Sequence, residues 1–453
     1  MKIAIVGAGI IGVTTAYELA GEGHEVVVFE RRGSVAAEPS FATAGVVAPG
    51  YVTPWAAPGM PRQVLGHLWS THAPVRIGSG LGAAEIGWIW RWWRACRLRT
   101  YQANRLQMQR LAAFSRERLH RVTRELKLDY ERSEGCLVLL RCAKDMAMVR
   151  PGLDSLVELK MRFELLDAAQ CRAVEPGLSA ETALHAGVYL PDDEVGNCRQ
   201  FATLIRAEAQ RLGVLFRFHT QVQRIVPGHS PQLVHRHAPP RSAAVEGAAS
   251  FAPPDAGDTR PMAAEPVTER FDAVVVCAAL ESNSLLRPHG LTLPMIAAHG
   301  YSITAPLRRI EVHPDHGPRS ALMDERYKVA ISRLGARVRV AGSAEIGGSP
   351  TRNNPKALAT LYRVLHDWFP GAAHLSQAQV WKGARPMLPD GPPVLGRSSA
   401  AGIWLNLGHG SSGWALSCGS ARALADMMAG RTPEIEMDGL MPAQACQSGR
   451  FKR

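Results

Sequence analysis

Three glycines at positions 7, 9 and 12 stand within Lys2-Ile-Ala-Ile-Val-Gly-Ala-Gly-Ile-Ile-Gly12, and a carboxylate, Glu30, closes the next apolar run, His24-Glu-Val-Val-Val-Phe-Glu30. At this spacing the chemistry is recognition of a phosphorylated dinucleotide. Gly7 permits a tight turn, Gly9 lets backbone N–H groups approach a pyrophosphate, and Gly12 lets a helix pack closely on the strand. Glu30, 18 residues beyond Gly12, suits a ribose-hydroxyl acceptor. The motif alone does not separate FAD from NAD.

A second glycine turn, Gly408-His-Gly-Ser-Ser-Gly413, comes near the C-terminus, between a strand predicted at 403–407 and a helix predicted at 415–429. Such a turn offers helix N–H groups to something electron-rich. A nicotinamide has no evident need of it. A flavin does, because reduction places negative charge near N1 and the C2 carbonyl. Just upstream, Arg385 stands in a proline- and glycine-rich stretch, 381–396, that reads as a turn-rich loop.

These groups need strands and helices to position them. Residues 3–6 form an aliphatic run suited to a buried parallel strand, 13–21 read as a helix closed by Gly21 or Gly23, and 24–30 as a second strand. The uncharged run 3–17 is shorter than the roughly 20 residues of a membrane span, and glycines interrupt it. Glu18 and Glu22 follow it directly, so a secretory signal is not expected. Residues 40–61 are also uncharged, but Pro49, Pro54, Pro58 and Pro61 forbid a continuous helix and predict an ordered loop packed on an apolar surface.

Residues 86–99 predict a helix mixing Trp and Arg, with Trp88 and Trp92 stacked at i, i+4, and a charged helix follows at 106–126. Its tryptophans suit either packing on the rest of the protein or contact with a membrane interface. Strands are predicted at 135–140, 187–190 and 271–279, and helices at 143–160 and 198–212. Residues 227–266 hold eight prolines and show no periodicity. They read as a surface insertion unable to order itself, with His235 and His237 solvated and no metal site formed.

At 453 residues the chain has room for two or three domains, and 46% hydrophobic with 20% charged residues describes an ordinary globular protein. The net charge of +12 raises nucleic acid or an anionic membrane as a partner. Arginine is spread along the chain with no basic run and no stacking aromatics, so no nucleic acid is expected. Eight cysteines show no CxxC pair and no regular framework, which suits free thiols in a reducing cytoplasm.

Taken together, Ile5-Val-Gly-Ala-Gly-Ile-Ile-Gly12, Ala44-Gly-Val-Val-Ala-Pro-Gly-Tyr-Val-Thr-Pro-Trp-Ala-Ala-Pro-Gly59, Pro191-Asp-Asp-Glu-Val-Gly196, Gly300-Tyr-Ser302, Tyr327-Lys-Val-Ala-Ile-Ser-Arg333, Arg385-Pro-Met-Leu-Pro-Asp-Gly391 and Gly408-His-Gly410 carry a resemblance. The chain resembles the small subunit of bacterial D-amino-acid dehydrogenases, within the wider D-amino-acid oxidase and glycine oxidase superfamily, from residue 1 to about 433 outside the insertion.

The resemblance implies an α/β fold, with a Rossmann-like FAD-binding domain interleaved with an α+β substrate domain built on an antiparallel or mixed sheet. The FAD-binding parts would be 1–85, 191–226, 267–290 and 381–433. The substrate domain would take 86–190 and 291–380, with 227–266 as the insertion and 434–453 as a tail. Non-covalent FAD would lie on Ile3, Val6, Gly7, Ala8, Gly9, Ile10, Ile11 and Gly12, with Glu30 and Arg31 at the adenosine ribose. Ala44, Gly45, Gly408, His409, Gly410, Ser411, Ser412 and Gly413 would complete its site, and no His or Cys stands in the motif to carry a covalent link.

D-Amino acids, D-alanine among them, are the implied substrates, and 2-oxo acid and ammonium the products. Electrons would pass to a quinone or other respiratory acceptor, with a second subunit as a candidate partner and peripheral attachment to the inner face of the cell membrane. The resemblance gives Arg385 the substrate carboxylate, because only a guanidinium offers a planar two-point grip. Tyr301, Tyr327 and His299 are candidates for further hydrogen bonds to substrate. Relatives oxidising hydroxyproline, sarcosine or glycine share nearly all these motifs. One departure stands out: Ala279 occupies a position where relatives tend to have glycine.

Overall fold

In the computed structural model, residues 1–67, 72–78, 80–237, 265–308 and 316–442 are described. Lys2–Val6 is buried because it lies at the centre of a six-stranded sheet, parallel to Glu25–Phe29 on one side and to Ala273–Val276 on the other. Leu215–Arg217 and Ile403–Leu407 extend this sheet in parallel, and Val394–Arg397 closes it antiparallel. A strand flanked on both sides reads as an uninterrupted aliphatic run.

One face of the sheet is covered by the helices Ile10–Gly21, Cys198–Arg211 and Gly413–Met428, with Ile5, Val13, Leu19, Phe201, Ile205 and Leu424 in one core. Leu111 and Leu119 of the long helix Leu98–Leu126 join the same core. Buried Glu18 ties three of these helices, accepting from Arg118 Nε and Nη2 at 2.7 and 2.9 Å and from Arg422 Nη1 at 3.1 Å. On the other face a three-stranded antiparallel sheet, Thr220–Val226, Gln232–His237 and Val267–Arg270, packs Ile225 and Leu233 against Val27, Phe29 and Val274.

The second layer is a ten-stranded mixed sheet. Its main path runs Gln379–Met387, Ile296–Pro306, Arg337–Ile346, Val329–Leu334, Ala321–Asp324, Ser133–Leu140, Ala186–Val195 and Val46–Val47. Side chains alternate between its faces. Tyr301, Ile303, Val340 and Ile331 point to one face, where Leu361, Leu365 and Trp368 of the helix Pro355–Trp368 cover them. The other face turns toward the six-stranded sheet.

This arrangement is the expected α/β fold, with several local corrections. The first part of the proline-rich segment is ordered, because Gln232–His237 pairs with strands on both sides. His235 is therefore buried and not solvated: it packs on Phe29 with ring centroids 4.8 Å apart and hydrogen-bonds Glu269 Oε1 at 3.0 Å. Residues 238–264 of that segment and 443–453 of the tail lie outside the described residues. The two helices expected at 86–99 and 106–126 are Ala83–Ala95 and Leu98–Leu126, dividing earlier than expected because Arg97 adopts extended backbone between them. The divisions expected at 190/191 and at 380/381 fall inside the strands Ala186–Val195 and Gln379–Met387.

Ala279 sits at φ +49°, in the left-handed region where glycine is at ease and a methyl group is strained. Ala279→Gly should therefore raise stability by about 0.5–1 kcal/mol, read as a higher urea midpoint at unchanged slope. A lower midpoint would mean that the methyl's contacts outweigh the strain.

Candidate active site

The first glycine motif is built as its spacing requires. Gly7 has φ +103°, and a Cβ on it would lie 2.7 Å from the Cys277 carbonyl oxygen. On Gly12 a Cβ would sit 1.9 Å from the Gly7 carbonyl oxygen, so the helix reaches the strand only without side chains there. Gly9 differs: a Cβ would meet only Ser40 Oγ, at 3.6 Å. That opening faces the N-terminus of Ile10–Gly21, which has no side-chain cap from Gly9. Helix N–H groups beside open space are what a pyrophosphate needs.

Glu30 is held ready at the edge of the cradle. Its Oε2 accepts the Ala8 N–H and its Oε1 the Arg32 N–H, both at 2.7 Å. Two hydrogen bonds leave acceptor capacity on a carboxylate for ribose hydroxyls. Burial nevertheless pushes its pKa above the ordinary value. Arg31 instead pairs with Glu38 at 2.8 Å and Glu281 at 3.1 Å, bracing the loop beside the cradle. Ser40 was not legible as a site residue. Its Oγ accepts the Ile10 N–H at 3.1 Å, and nothing in its local sequence announces that long-range meeting.

From Ile10 and Ser40 a single cavity of about 1170 Å³ runs between the two sheets. Ala44, Gly45 and Gly410–Gly413 line it, followed by Gly300, Ser343 and Arg385 on the sheet floor. Trp55 Nε1 donates to Ser411 Oγ at 3.2 Å and ties the proline-rich loop to the second turn. Behind that turn His409 is buried against the helix, its ring Nε2 3.2 Å from Ser420 Oγ, and burial pulls its pKa down to about 3. It is a neutral structural imidazole outside the cavity wall.

Arg385 lies on an edge strand, not in the expected turn-rich loop. Gln379–Met387 pairs antiparallel with Ile296–Pro306, placing Arg385 opposite Ala298 and Gly383 opposite Gly300. Both glycines make room. A Cβ on Gly300 would lie 2.2 Å from Arg385 Nη2, and one on Gly383 would lie 1.8 Å from the Trp381 ring. The guanidinium therefore rests on the bare backbone of Gly300, restrained by Nη1 donating to Ser343 O at 3.2 Å. Burial alone brings its pKa down to about 10, with no carboxylate among the described residues to offset it. It stays charged at neutral pH, a desolvated cation facing a cavity.

The three other substrate candidates are not brought to this point together. Tyr301 lines the cavity by its backbone position, but its ring is in the core and its hydroxyl donates to Glu345 Oε2 at 2.5 Å. Lys382 Nζ, held by Ser349 O at 2.6 Å and Arg352 O at 2.8 Å, joins that network behind the sheet. Tyr327 stacks under the guanidinium of Arg141, 5.0 Å from its ring centroid, away from the cavity. His299 is buried, and its Nδ1 has no hydrogen-bond partner among the described residues. Burial lowers its pKa from the ordinary value. Gly300, Gly383 and Ser343 are the residues that sequence reasoning missed at this site.

Known proteins are similar to this chain in sequence and in fold. The family described as FAD dependent oxidoreductase matches residues 2–427. This chain belongs to it. Proteins named D-amino acid dehydrogenase are similar to the chain over its whole length. That of Cereibacter sphaeroides is 41% identical, with 100% of this chain and 97% of the relative covered, and that of Rhizorhabdus wittichii is 41% identical over 97% and 99%. Among solved structures, glycine oxidase from Geobacillus kaustophilus shares the fold at a TM-score of 0.70 and 18% identity, covering 97% of each chain. The protein is thus an FAD-dependent oxidoreductase, and the cradle, the second turn and the cavity fit that cofactor.

Proposed function

We propose that this protein oxidises D-amino acids to 2-oxo acids and ammonium and passes the electrons to a quinone-type respiratory acceptor. The observation that carries the reading is Arg385: a desolvated cation with no carboxylate partner among the described residues, set on the floor of the cavity that continues the FAD cradle. Full-length relatives named for this activity support it. An α-amino acid brings the carboxylate that such a cation needs.

When bound, FAD supplies two-electron acceptance of the substrate Cα hydride. The chain's own residues bind and aim. Arg385 grips the carboxylate through two aligned N–H donors, and Ser343 O and the bare Gly300 backbone fix the plane of that grip. The amine must be neutral so that its lone pair drives hydride loss, and no strong acid–base side chain is required. The helix Gly413–Met428 presents an N-terminus with no side-chain cap next to the cavity, suited to negative charge gained on reduction. Apolar walls keep water from the reacting bond, and the imine product takes up water to give oxo acid and ammonium. FAD is held non-covalently by the cradle, so acid precipitation should release the yellow chromophore into the supernatant.

The direct test is the visible spectrum of the purified protein, followed without oxygen as L-alanine and then D-alanine are added. Bleaching only after the D-isomer is the expected result. Bleaching by the L-isomer, or by no D-amino acid, would remove the reading.

Peripheral membrane attachment belongs to the same proposal. Among the described residues no helix is long and apolar enough to cross a membrane. On the helix Ala83–Ala95, Trp88 is buried, its Nε1 donating to Met387 O at 2.9 Å, whereas Ile86, Trp90 and Trp93 are 59%, 53% and 56% exposed. Arg91, Arg94 and Arg97 interleave with them. Exposed indoles among arginines suit an anionic lipid headgroup layer. Replacing both Trp90 and Trp93 by Ser should abolish most cosedimentation with anionic vesicles at unchanged flavin content. Unchanged sedimentation would exclude this helix.

A further inference from the structure

A second guanidinium is buried without an ion pair among the described residues. Arg339 lies on the strand Arg337–Ile346, whose Val338 and Val340 point into the core on one face of the ten-stranded sheet. Arg339 and cavity-lining Ala341 therefore turn to the other face, the one along which the cavity runs. Arg339 is 6% exposed. Glu131, whose charge acts on it, is gripped by Arg337 at 2.8 and 2.7 Å. Burial brings the pKa of Arg339 down to about 10, so it stays charged at neutral pH. Such a cation is a stability cost that needs a reason.

What Arg339 holds is a peptide. Its Nε donates to Thr304 Oγ1 on the neighbouring strand at 2.9 Å, and its Nη1 donates to Thr43 O at 3.1 Å. Ser332, opposite Arg339 on the strand to the other side, donates its hydroxyl to Ala44 O at 2.7 Å. Two successive carbonyls of the loop are thus drawn down onto the sheet. A trans peptide points its N–H away from its C=O, so the Ala44 N–H is turned up from the sheet. Thr43 and Ala44 line the cavity, and among the described residues no acceptor meets the Ala44 N–H. The Gly45 N–H, by contrast, is taken by Thr43 Oγ1 at 3.2 Å.

Between the cradle at Ile10 and Ser40 and the cation Arg385, residues 42–45 and 410–413 wall the cavity, the stretch open to the redox end of FAD. Reduction adds two electrons and one proton to that ring system and leaves it one negative charge. A peptide whose oxygen end is capped by a cation is polarised so that its N–H end meets such charge more strongly.

We propose that Arg339 is a positioning residue for the cofactor: it holds the Thr43–Ala44 peptide so that the Ala44 N–H donates to an electron-rich atom of the flavin, and its charge behind that peptide raises the flavin's reduction potential. The effect needs bound FAD alone and does not depend on which substrate supplies the electrons.

The test is the reduction potential of the holoenzyme, read against a reference dye with no amino acid present. Arg339→Met and Arg339→Gln remove the charge. Both should lower the ratio of reduced to oxidised flavin at a fixed potential by about tenfold, or about 30 mV for a two-electron couple. Arg339→Lys keeps the charge and should recover most of that loss, which a residue serving only to brace the loop would not do. In rapid mixing with D-alanine, the limiting rate of flavin reduction should fall in the neutral variants while the saturation constant stays at its wild-type value, since Arg339 touches no substrate.

Wild-type potentials in the Met and Gln variants would overturn the proposal. So would a Lys variant as low as the Met variant, or a loss confined to the saturation constant. If the neutral variants fail to hold FAD, Arg339→Lys decides alone. Burial favours a neutral lysine, so its potential should fall more steeply than the wild-type potential as pH rises through the lysine pKa. Parallel profiles would overturn the proposal. Failure of every D-amino acid to reduce the wild-type flavin would instead sink the functional reading, and the dye measurement would still stand.

Discussion

Replacing Arg385 by Lys should raise the saturation constant for D-alanine by roughly one to two decades, because one of two aligned charge-assisted hydrogen bonds is lost. The limiting rate of flavin reduction should fall as well. A point ammonium does not fix the plane of the carboxylate, and hydride transfer depends on how Cα–H is aimed. Arg385→Met should be nearly inactive with an intact flavin spectrum. Rapid-mixing reduction separates the affinity and rate losses. Wild-type behaviour in both variants would make Arg385 a structural residue and remove the chemical support for an amino-acid substrate.

The same residue should show the opposite effect on stability. A guanidinium depressed by burial from 12.5 to about 10 carries an unfavourable charging energy of roughly 3 kcal/mol in the fold. Arg385→Met removes that charge at similar volume, so the variant should be more stable than the parent, as when unneeded buried charges are replaced by apolar groups. The sign of the pH effect follows from linkage. Both the folded and unfolded values lie far above neutrality, so the charge is present in both states and the penalty does not vary between about pH 5 and pH 9. The gain in melting temperature should be flat across that range. A residue kept at a stability cost in a cavity is the usual mark of a functional group.

How much of this was legible in the sequence depends on how local the constraint is. The first cradle was, because the positive φ of Gly7 and the close approach of Gly12 to the Gly7 carbonyl arise within one turn and its own strand and helix, even though Gly7 also meets Cys277. The second turn was legible for the same reason. Trp88 and Trp92, one helical turn apart, stack 6.4 Å apart as the spacing predicts. The sheet floor around Arg385 was not legible. Gln379–Met387 contains Gly383 and Pro386, which read locally as turn formers, but an edge strand tolerates a proline whose missing N–H would face outward. Gly300 and Gly383 become neighbours only when strands some 80 residues apart pair. The roles of Ser40 and Ser343 likewise depend on partners far away along the chain.

Gly300 is where that long-range geometry should have its largest effect. A methyl group there would sit 2.2 Å from Arg385 Nη2 and 2.4 Å from Cζ, well inside contact distance. The obstacle is the end of a flexible side chain and not backbone, so the protein can yield by swinging the guanidinium aside. Gly300→Ala should therefore fold, retain FAD and melt near the wild-type temperature. Its Arg385 would nonetheless be displaced by on the order of 1 Å or more, and a displacement of that size costs about 10²-fold in a reaction that depends on aim. The loss should appear in kcat/KM for D-alanine. Specificity of the cause comes from a double-mutant cycle: in the Arg385→Met background, Gly300→Ala should lose almost nothing further, because the group it displaces is gone. Independent, additive losses would show that Gly300 acts on the flavin or the sheet itself, and the picture of a bare glycine backbone serving as the bed of the carboxylate clamp would have to be given up.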